Sequence, residues 1–202
     1  MTRVAADAPV TLGITGASGA PYAVRLLQAL NDSGTAVRLI VSGYGLRLLA
    51  EESGIADLDA LRAATGDWSR VDLYDSLDRG ATPASGSAAS RGMVVCPCSM
   101  GTLASIAAGT SRNLVERAAD VALKERRPLI LVPRETPLSL VHLDNMKRAA
   151  EVGAVILPAS PGWYHGVTRL EDLVDFVVAR VLDHLEVPHT LGSRWRHGEA
   201  DA

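Results

Sequence analysis

Val10–Thr15, Ala36–Val41, Met93–Cys96 and Leu129–Val132 are short apolar runs without polar alternation. A strand exposed on one face alternates, whereas an unbroken run marks a strand buried on both faces, as in a parallel sheet packed between helical layers. Val71–Tyr74 and Ala154–Leu157 complete a set of six. Segments with helical spacing lie between the runs. Tyr22, Leu26, Leu27 and Leu30 mark the first, which Gly34 ends; Leu46–Ser53 and Leu58–Thr65 follow, separated by Gly54. A helix from Ser99 to Ala108 is closed by Gly109, and Asn113–Arg127, Leu138–Val152 and Leu170–Leu185 complete the series. Parallel strands need crossover connections. The predicted fold is therefore α/β: a Rossmann-like, doubly wound three-layer αβα sandwich on a mainly parallel six-stranded sheet. In the order 3-2-1-4-5-6 the switch point falls between strands one and four, where ligands bind at carboxyl ends. The loops emerging there are Gly16–Ala20 and Pro97–Thr102.

With 202 residues the chain is read as one domain, residues 10–187, between a disordered 1–9 extension and a 188–202 tail, of which His189–Ala202 reads as polar and mobile apart from Trp195. A net charge of −3 gives no sign of nucleic-acid or acidic-membrane binding, and no apolar run reaches the length of a membrane span. Met1–Pro9 has no apolar core of a secretion signal. Cys96 and Cys98, either side of Pro97, suit neither a disulfide framework nor a four-ligand metal site. The expectation is a cytoplasmic, metal-free protein. Asp75–Arg91, rich in Gly, Ser and Ala, reads as a loop, and a loop this long is usually functional or disordered.

Gly13, Gly16 and Gly19 after strand one invite a dinucleotide reading, but strand two ends in Ser42-Gly43 rather than the acidic residue that holds a ribose. A mononucleotide fits better: the hydroxyls of Ser18, Ser42, Ser99 and Thr102, with backbone N–H groups at helix N-termini, suit a phosphate and a polyol chain. Each hydroxyl alone also reads as a helix cap. In residues 113–137, Arg117 and Lys124 lie two turns apart on one helix face, and Arg134-Glu135 follows strand five. The segment reads either as an anion site or as surface decoration with Asp120 paired to Lys124 at i,i+4.

Thr15-Gly16-Ala17-Ser18-Gly19-Ala20, Ser85-Gly86-Ser87, Pro97-Cys98-Ser99-Met100-Gly101-Thr102-Leu103, Glu116–Pro128 and Val132-Pro133-Arg134-Glu135-Thr136-Pro137 together resemble the UbiX flavin prenyltransferases. The likeness continues through His142-Leu143-x-Asn145-Met146, Gly153-Ala154-Val155-Ile156, Tyr164-His165 and the last helix, from Thr11 to Arg196. It implies a flavoprotein domain that binds reduced FMN and joins the dimethylallyl group of dimethylallyl monophosphate to the flavin N5 and C6. The prenylated FMN then passes to a UbiD-type decarboxylase, and no metal takes part. The resemblance also implies a homo-oligomer, a dodecamer, with sites at subunit boundaries.

By the same resemblance, Thr15, Gly16, Ala17, Ser18, Ser42, Ser99, Met100, Gly101, Thr102 and Arg134 hold the flavin. Lys124 and Arg134 face the substrate phosphate, Arg117 is a third cation, and Ser87, Tyr164 and Arg180 complete substrate binding. Ser18 and Glu135 handle protons, with Glu52 a further acidic position. Preorganised cations would meet the charge that develops on a departing phosphate. Bland alternatives stand beside these: Tyr164 as loop cover, Arg180 as a solvated side chain, Glu52 as helix surface. Relatives with a tryptophan before the Ser-Gly-Ser loop differ from this chain, which has Asp78-Arg79-Gly80 and offers Trp195 or Trp163 as a π face. Many relatives also place a lysine after the serine at position 42, where this chain has Gly43.

Three rival functions fit the same fold. Flavin-dependent cysteine decarboxylases carry Pro-x-Met-Asn-x-x-Met-Trp near strand five, where this chain has Pro133-Arg134-Glu135-Thr136-Pro137. A non-catalytic FMN carrier would need neither the cations nor Glu135, and a direct hydroxybenzoate decarboxylase lacks a recognisable acid/base site.

Overall fold

A computed structural model describes residues 7–164 and 166–192. Its strands are β1 (Val10–Ile14), β2 (Val37–Val41), β3 (Val71–Asp75), β4 (Gly92–Cys98), β5 (Leu129–Pro133) and β6 (Val155–Ile156). Its helices are α1 (Ala20–Asp32), α2 (Gly43–Ser53), α3 (Leu58–Thr65), α4 (Met100–Ala108), α5 (Leu114–Lys124), α6 (Leu140–Glu151) and α7 (Leu170–His184). The sheet order is β3-β2-β1-β4-β5-β6, and every ladder is parallel. The expected architecture and switch point are both present.

The unbroken apolar runs divide their side chains between two layers. Val10, Leu12, Ile14, Leu39 and Val94 pack under α1, α3 and α7, while Ile40, Met93, Val95 and Leu131 pack under α4 and α5. On α6 only Ala149 is buried, and Leu140, Val141 and Leu143 face outward.

Several boundaries differ from the sequence expectation, each for a local reason. Pro97 does not end strand four; the strand continues to Cys98 through a cis Cys96–Pro97 bond, and Cys98 pairs with Pro133 after a register shift. The shift changes which face the strand presents. Cys96 packs with Val94 on one side and Cys98 with Val95 on the other. Both thiols are free and buried, and burial pushes the Cys96 thiol up to about 12. α5 stops at Lys124 instead of Arg127 because Arg126 takes a left-handed φ of 54°.

Both ends of the described chain make contacts with the domain. Ala8 is buried, the Pro9 carbonyl accepts from Arg91 N–H, and Leu191 packs against the α1–α7 layer. Residues 188–192 thus lie against the domain through Leu191.

Where β1 meets α2, contact is too close for a side chain. A Cβ on Gly45 would lie 2.7 Å from the Ile14 carbonyl oxygen, a backbone atom that cannot turn aside. Alanine gains about 1 kcal/mol in helix propensity over glycine, but overpacking costs about 1–3 kcal/mol. Gly45→Ala should therefore lower stability by about 1 kcal/mol net, read as a reduced urea midpoint; a raised midpoint would contradict this packing.

Candidate active site

The carboxyl ends of β1 and β4 are tied together by one hydroxyl. Thr15, 3% exposed, donates from Oγ1 to the Pro97 carbonyl at 2.8 Å and accepts from Ser99 N–H at 2.9 Å. Thr15 N–H also donates to the Pro97 carbonyl. Thr15 thus lies in the cradle, but its side chain is engaged by the protein itself. Ser99 accepts the N–H of Thr102 and donates to its hydroxyl, and Ser42 accepts the N–H of Gly45. These serines are helix caps, and the helix starts they cap lie at the switch point.

The first α4 turn has the features of an anion cradle. The N–H groups of Met100 and Gly101 have no protein partner among the described residues, as expected for a helix start. A Cβ on Gly101 would meet nothing within 4 Å. Gly16 is required for a different reason: a Cβ there would come 2.5 Å from Tyr44 Cβ. Tyr44, 73% exposed, therefore stands against the glycine turn. Sequence reasoning passed over it because nothing local marks a tyrosine two residues after a cap.

The α1 N-terminus differs from expectation. Its cap residue, Gly19, has φ 123° and no side chain to offer. Glu52 caps it from across the cradle, accepting the N–H groups of Gly19 and Ala20 at 2.7 and 2.8 Å. The α1 donors proposed for a ligand are therefore occupied by a carboxylate, which a helix N-terminus favours. Partial burial alone would raise the Glu52 pKa. The Ser18 hydroxyl, the two backbone N–H groups and the Arg134 charge outweigh it and hold the carboxyl below its ordinary value. Arg134 Nε donates to the Ser18 carbonyl at 3.3 Å, so Ser18, Glu52 and Arg134 meet at one point. Ala17, buried, completes the turn, and Glu135, exposed, accepts its neighbour Thr136 N–H.

Other expected residues are not brought to this point within one chain. α5 starts at the carboxyl edge, where Leu114 N–H donates to the Ser76 carbonyl just beyond β3. It ends at the amino edge, where Arg127 Nη2 donates to the Gly86 carbonyl and Met93 N–H to the Pro128 carbonyl. Eleven residues at about 1.5 Å each separate the two edges by about 16 Å. Lys124, with 49% of its side chain exposed, therefore lies far from Arg134 and beside the serine loop. Its Nζ pairs with Glu125 at 3.0 Å and lies 2.9 Å from where a Gly86 Cβ would be. Ser87 shares that corner, its hydroxyl 3.0 Å from that of Ser85. Within one chain, Lys124 and Arg134 thus lie at opposite edges of the sheet.

Arg117 pairs with Asp120 at 2.6 Å, so the i,i+4 partnership of Asp120 with Lys124 is not the one formed. Tyr164 lies on the exposed loop after β6, edge-on to Phe176 with ring centroids 6.0 Å apart. Trp163 is exposed on the same loop, and Trp195 lies outside the described residues. Arg180 pairs with Asp183 on α7. Lys124, Arg126, Arg127 and His184 line a groove of about 770 Å³ at the amino edge. Among the described residues no helix is long and apolar enough to cross a membrane.

This arrangement, an α/β switch point with an open helix start, hydroxyl caps and an arginine beside a carboxylate, defines a mononucleotide-binding α/β protein of the flavoprotein class. The Flavoprotein family model matches residues 2–182. A flavin prenyltransferase UbiX from Pseudomonas aeruginosa is 47% identical over 194 residues, covering 92% of this chain and 93% of that protein. A crystal structure of AnUbiX (PadA1) with FMN and dimethylallyl pyrophosphate superposes with a TM-score of 0.85 at 37% identity, covering 95% of this chain and 99% of that one. A dodecameric FMN-dependent UbiX-like decarboxylase from Escherichia coli O157:H7 gives 0.86 at 40%, covering 94% and 100%. The FMN-dependent cysteine decarboxylase TvaF shares the fold alone, at 15% identity and a TM-score of 0.60, covering 89% and 98%. The chain belongs to the Flavoprotein family and, within it, to the UbiX flavin prenyltransferases.

Because folding lowers the Glu52 pKa, its carboxylate contributes stability that is fully present above the ordinary value of 4.5 and is lost as pH falls through the depressed folded value. The melting temperature of wild type should exceed that of Glu52→Gln near pH 7, and the gap should close on acidification below 4.5. A gap that widens there would contradict the charged cap.

Proposed function

We propose that this protein joins the dimethylallyl group of dimethylallyl monophosphate to N5 and C6 of reduced FMN and yields prenylated FMN for a UbiD-type decarboxylase. The observation that carries the reading is the meeting of Arg134, Glu52 and Ser18 at the mouth of the α4 cradle. That point holds a cation for a leaving phosphate and a carboxylate for a proton beside the same turn. A bare FMN carrier needs neither.

The cradle fits FMN by its own chemistry. The Met100 and Gly101 N–H groups and the hydroxyls of Ser42, Ser99 and Thr102 would hold the phosphate and ribityl chain, and Gly16 and Ala17 would line the flavin. Reduced FMN, when bound, supplies the nucleophilic N5 and C6. Arg134, with Lys124, Arg117, Tyr164 and Arg180, would hold the prenyl phosphate and meet the negative charge that gathers on it as its carbon–oxygen bond breaks. Ser87 would complete that pocket. Glu135 would take up a proton as the ring closes, with Ser18 and Glu52 in relay. Glu52 is suited to such a relay because its lowered pKa keeps it ionised while it remains within reach of the Ser18 hydroxyl.

The separation between Arg134 and Lys124 gives this reading a quaternary form. In the proposed assembly, a homo-oligomer such as a dodecamer, the amino edge of one copy closes the carboxyl edge of another. Lys124 and Ser87 then come from a neighbour.

The test is anaerobic incubation with reduced FMN and dimethylallyl monophosphate, alongside the pyrophosphate, followed by mass spectrometry of the flavin. A flavin mass raised by one C5 unit is expected; unchanged flavin with folded protein contradicts the reading. Lys124→Ala and Arg134→Ala should each lower transfer at least about a hundredfold, the scale of losing one preorganised transition-state donor. Lys124→Ala should keep most of its FMN affinity. Mixing the two variants after dissociation and reassembly should restore part of the activity, which sites built within single chains would not. A metal chelator should leave the rate unchanged.

A further inference from the structure

Arg180 is one end of a hydrogen-bonded chain that reaches into the packed C-terminal segment. Its Nη1 donates to Asp183 Oδ2 at 2.7 Å. The other carboxylate oxygen, Oδ1, lies 3.1 Å from His189 Nε2. The His189 side chain is only 5% exposed, and its Nδ1 accepts Leu191 N–H at 3.2 Å. That last contact fixes the tautomer. Nδ1 must present a lone pair, so the proton of the neutral ring sits on Nε2 and points at Asp183. Leu191 is packed against the α1–α7 hydrophobic layer. The order is therefore Leu191, His189, Asp183, Arg180, from the core outward.

An exposed arginine–aspartate pair three residues apart on a helix is ordinary and contributes little. Here the carboxylate is backed by a nearly buried imidazole, which removes its freedom to follow the arginine. The guanidinium is thus held in one orientation before any ligand arrives. Among the described residues its Nε and Nη2 make no hydrogen bond, and that edge of the planar fork suits a phosphate. His184, one turn further along α7, lines the groove that also holds Lys124. Residues i and i+4 share a helix face, so Arg180 lies on the side of α7 that runs toward this second cationic corner.

We propose that Asp183 and His189 are positioning residues for Arg180, orienting its guanidinium toward the phosphate of the prenyl substrate. The inference rests on the reading of Arg180 as a phosphate-binding residue given above. An arginine without this support freezes its rotamers only when the phosphate binds, and that ordering opposes binding. The expected signature is therefore a change in substrate affinity through Arg180, with flavin binding untouched.

The test is steady-state kinetics at saturating reduced FMN with varied dimethylallyl monophosphate. His189→Ala should raise KM about tenfold, the scale of a lost hydrogen bond to a charged group, with kcat changed less than about twofold. His189→Gln places an amide N–H where Nε2 was and should recover most of the affinity. In an Arg180→Ala background, His189→Ala should add nothing, since the residue through which it acts is gone. FMN affinity should match wild type throughout. A wild-type KM for His189→Ala, a full additional penalty in the Arg180→Ala background, or a parallel loss of FMN binding would each overturn the assignment. A wild-type KM for Arg180→Ala alone would remove the phosphate role itself, a failure distinguishable from that of the proposed function, in which wild type would leave the flavin unprenylated. If His189→Ala does not fold, His189→Asn takes its place. It keeps an acceptor for Leu191 but is too short to reach Asp183, and its KM should rise while that of His189→Gln does not.

Discussion

The Thr15 hydroxyl is the contact on which the cradle depends. A doubly wound sheet opens at its switch point because the helices after β1 and β4 leave toward opposite faces, and such an opening tends to splay. Thr15 closes it from inside, with one hydrogen bond given to Pro97 and one taken from Ser99. Because the same hydroxyl holds both strand ends, the Gly16 turn and the Ser99 cap cannot move independently. The face change at Cys98 lets β4 run straight into α4.

Around this clamp, charges are placed by what the helix ends require. Glu52 neutralises the α1 N-terminus and leaves the α4 N-terminus as the open dipole beside the cradle. Among the described residues Arg134 is anchored through Ser18 rather than through a tight ion pair, so no described carboxylate holds its charge. At the other sheet edge the partner of Lys124 among the described residues is the exposed Glu125, a pairing that solvent weakens. Both cations are thus available to an outside anion, in contrast to Arg112, which is locked against the buried Glu116 and Ser105 and holds the turn before α5.

The sequence disclosed the elements whose signals are local. Unbroken apolar runs marked the inner strands, and with the doubly wound order assumed, glycine and serine at strand ends marked the switch point. What escaped depended on distant neighbours or on backbone state. Pro97 reads as a terminator because a trans proline seldom continues an inner strand, and nothing nearby announces the cis bond. Glu52 looked like surface because its partners, Gly19 and Ala20, lie more than thirty residues away. The spacing of Lys124 from Arg117 suggests an anion site but not its place, which the direction of α5 decides. The backing of Arg180 by His189 was hidden because the segment carrying the histidine looked too polar to pack.

The distance between Lys124 and Arg134 also changes what kind of object the enzyme is. If one chain supplies the flavin cradle and another the phosphate-facing lysine, a lone chain has half a site at each edge and a whole site at neither. Dilution then acts as an inhibitor. Specific activity falls as protomers separate, flavin binding outlasts turnover, and the outward Leu140, Val141 and Leu143 of α6 meet water in the same regime.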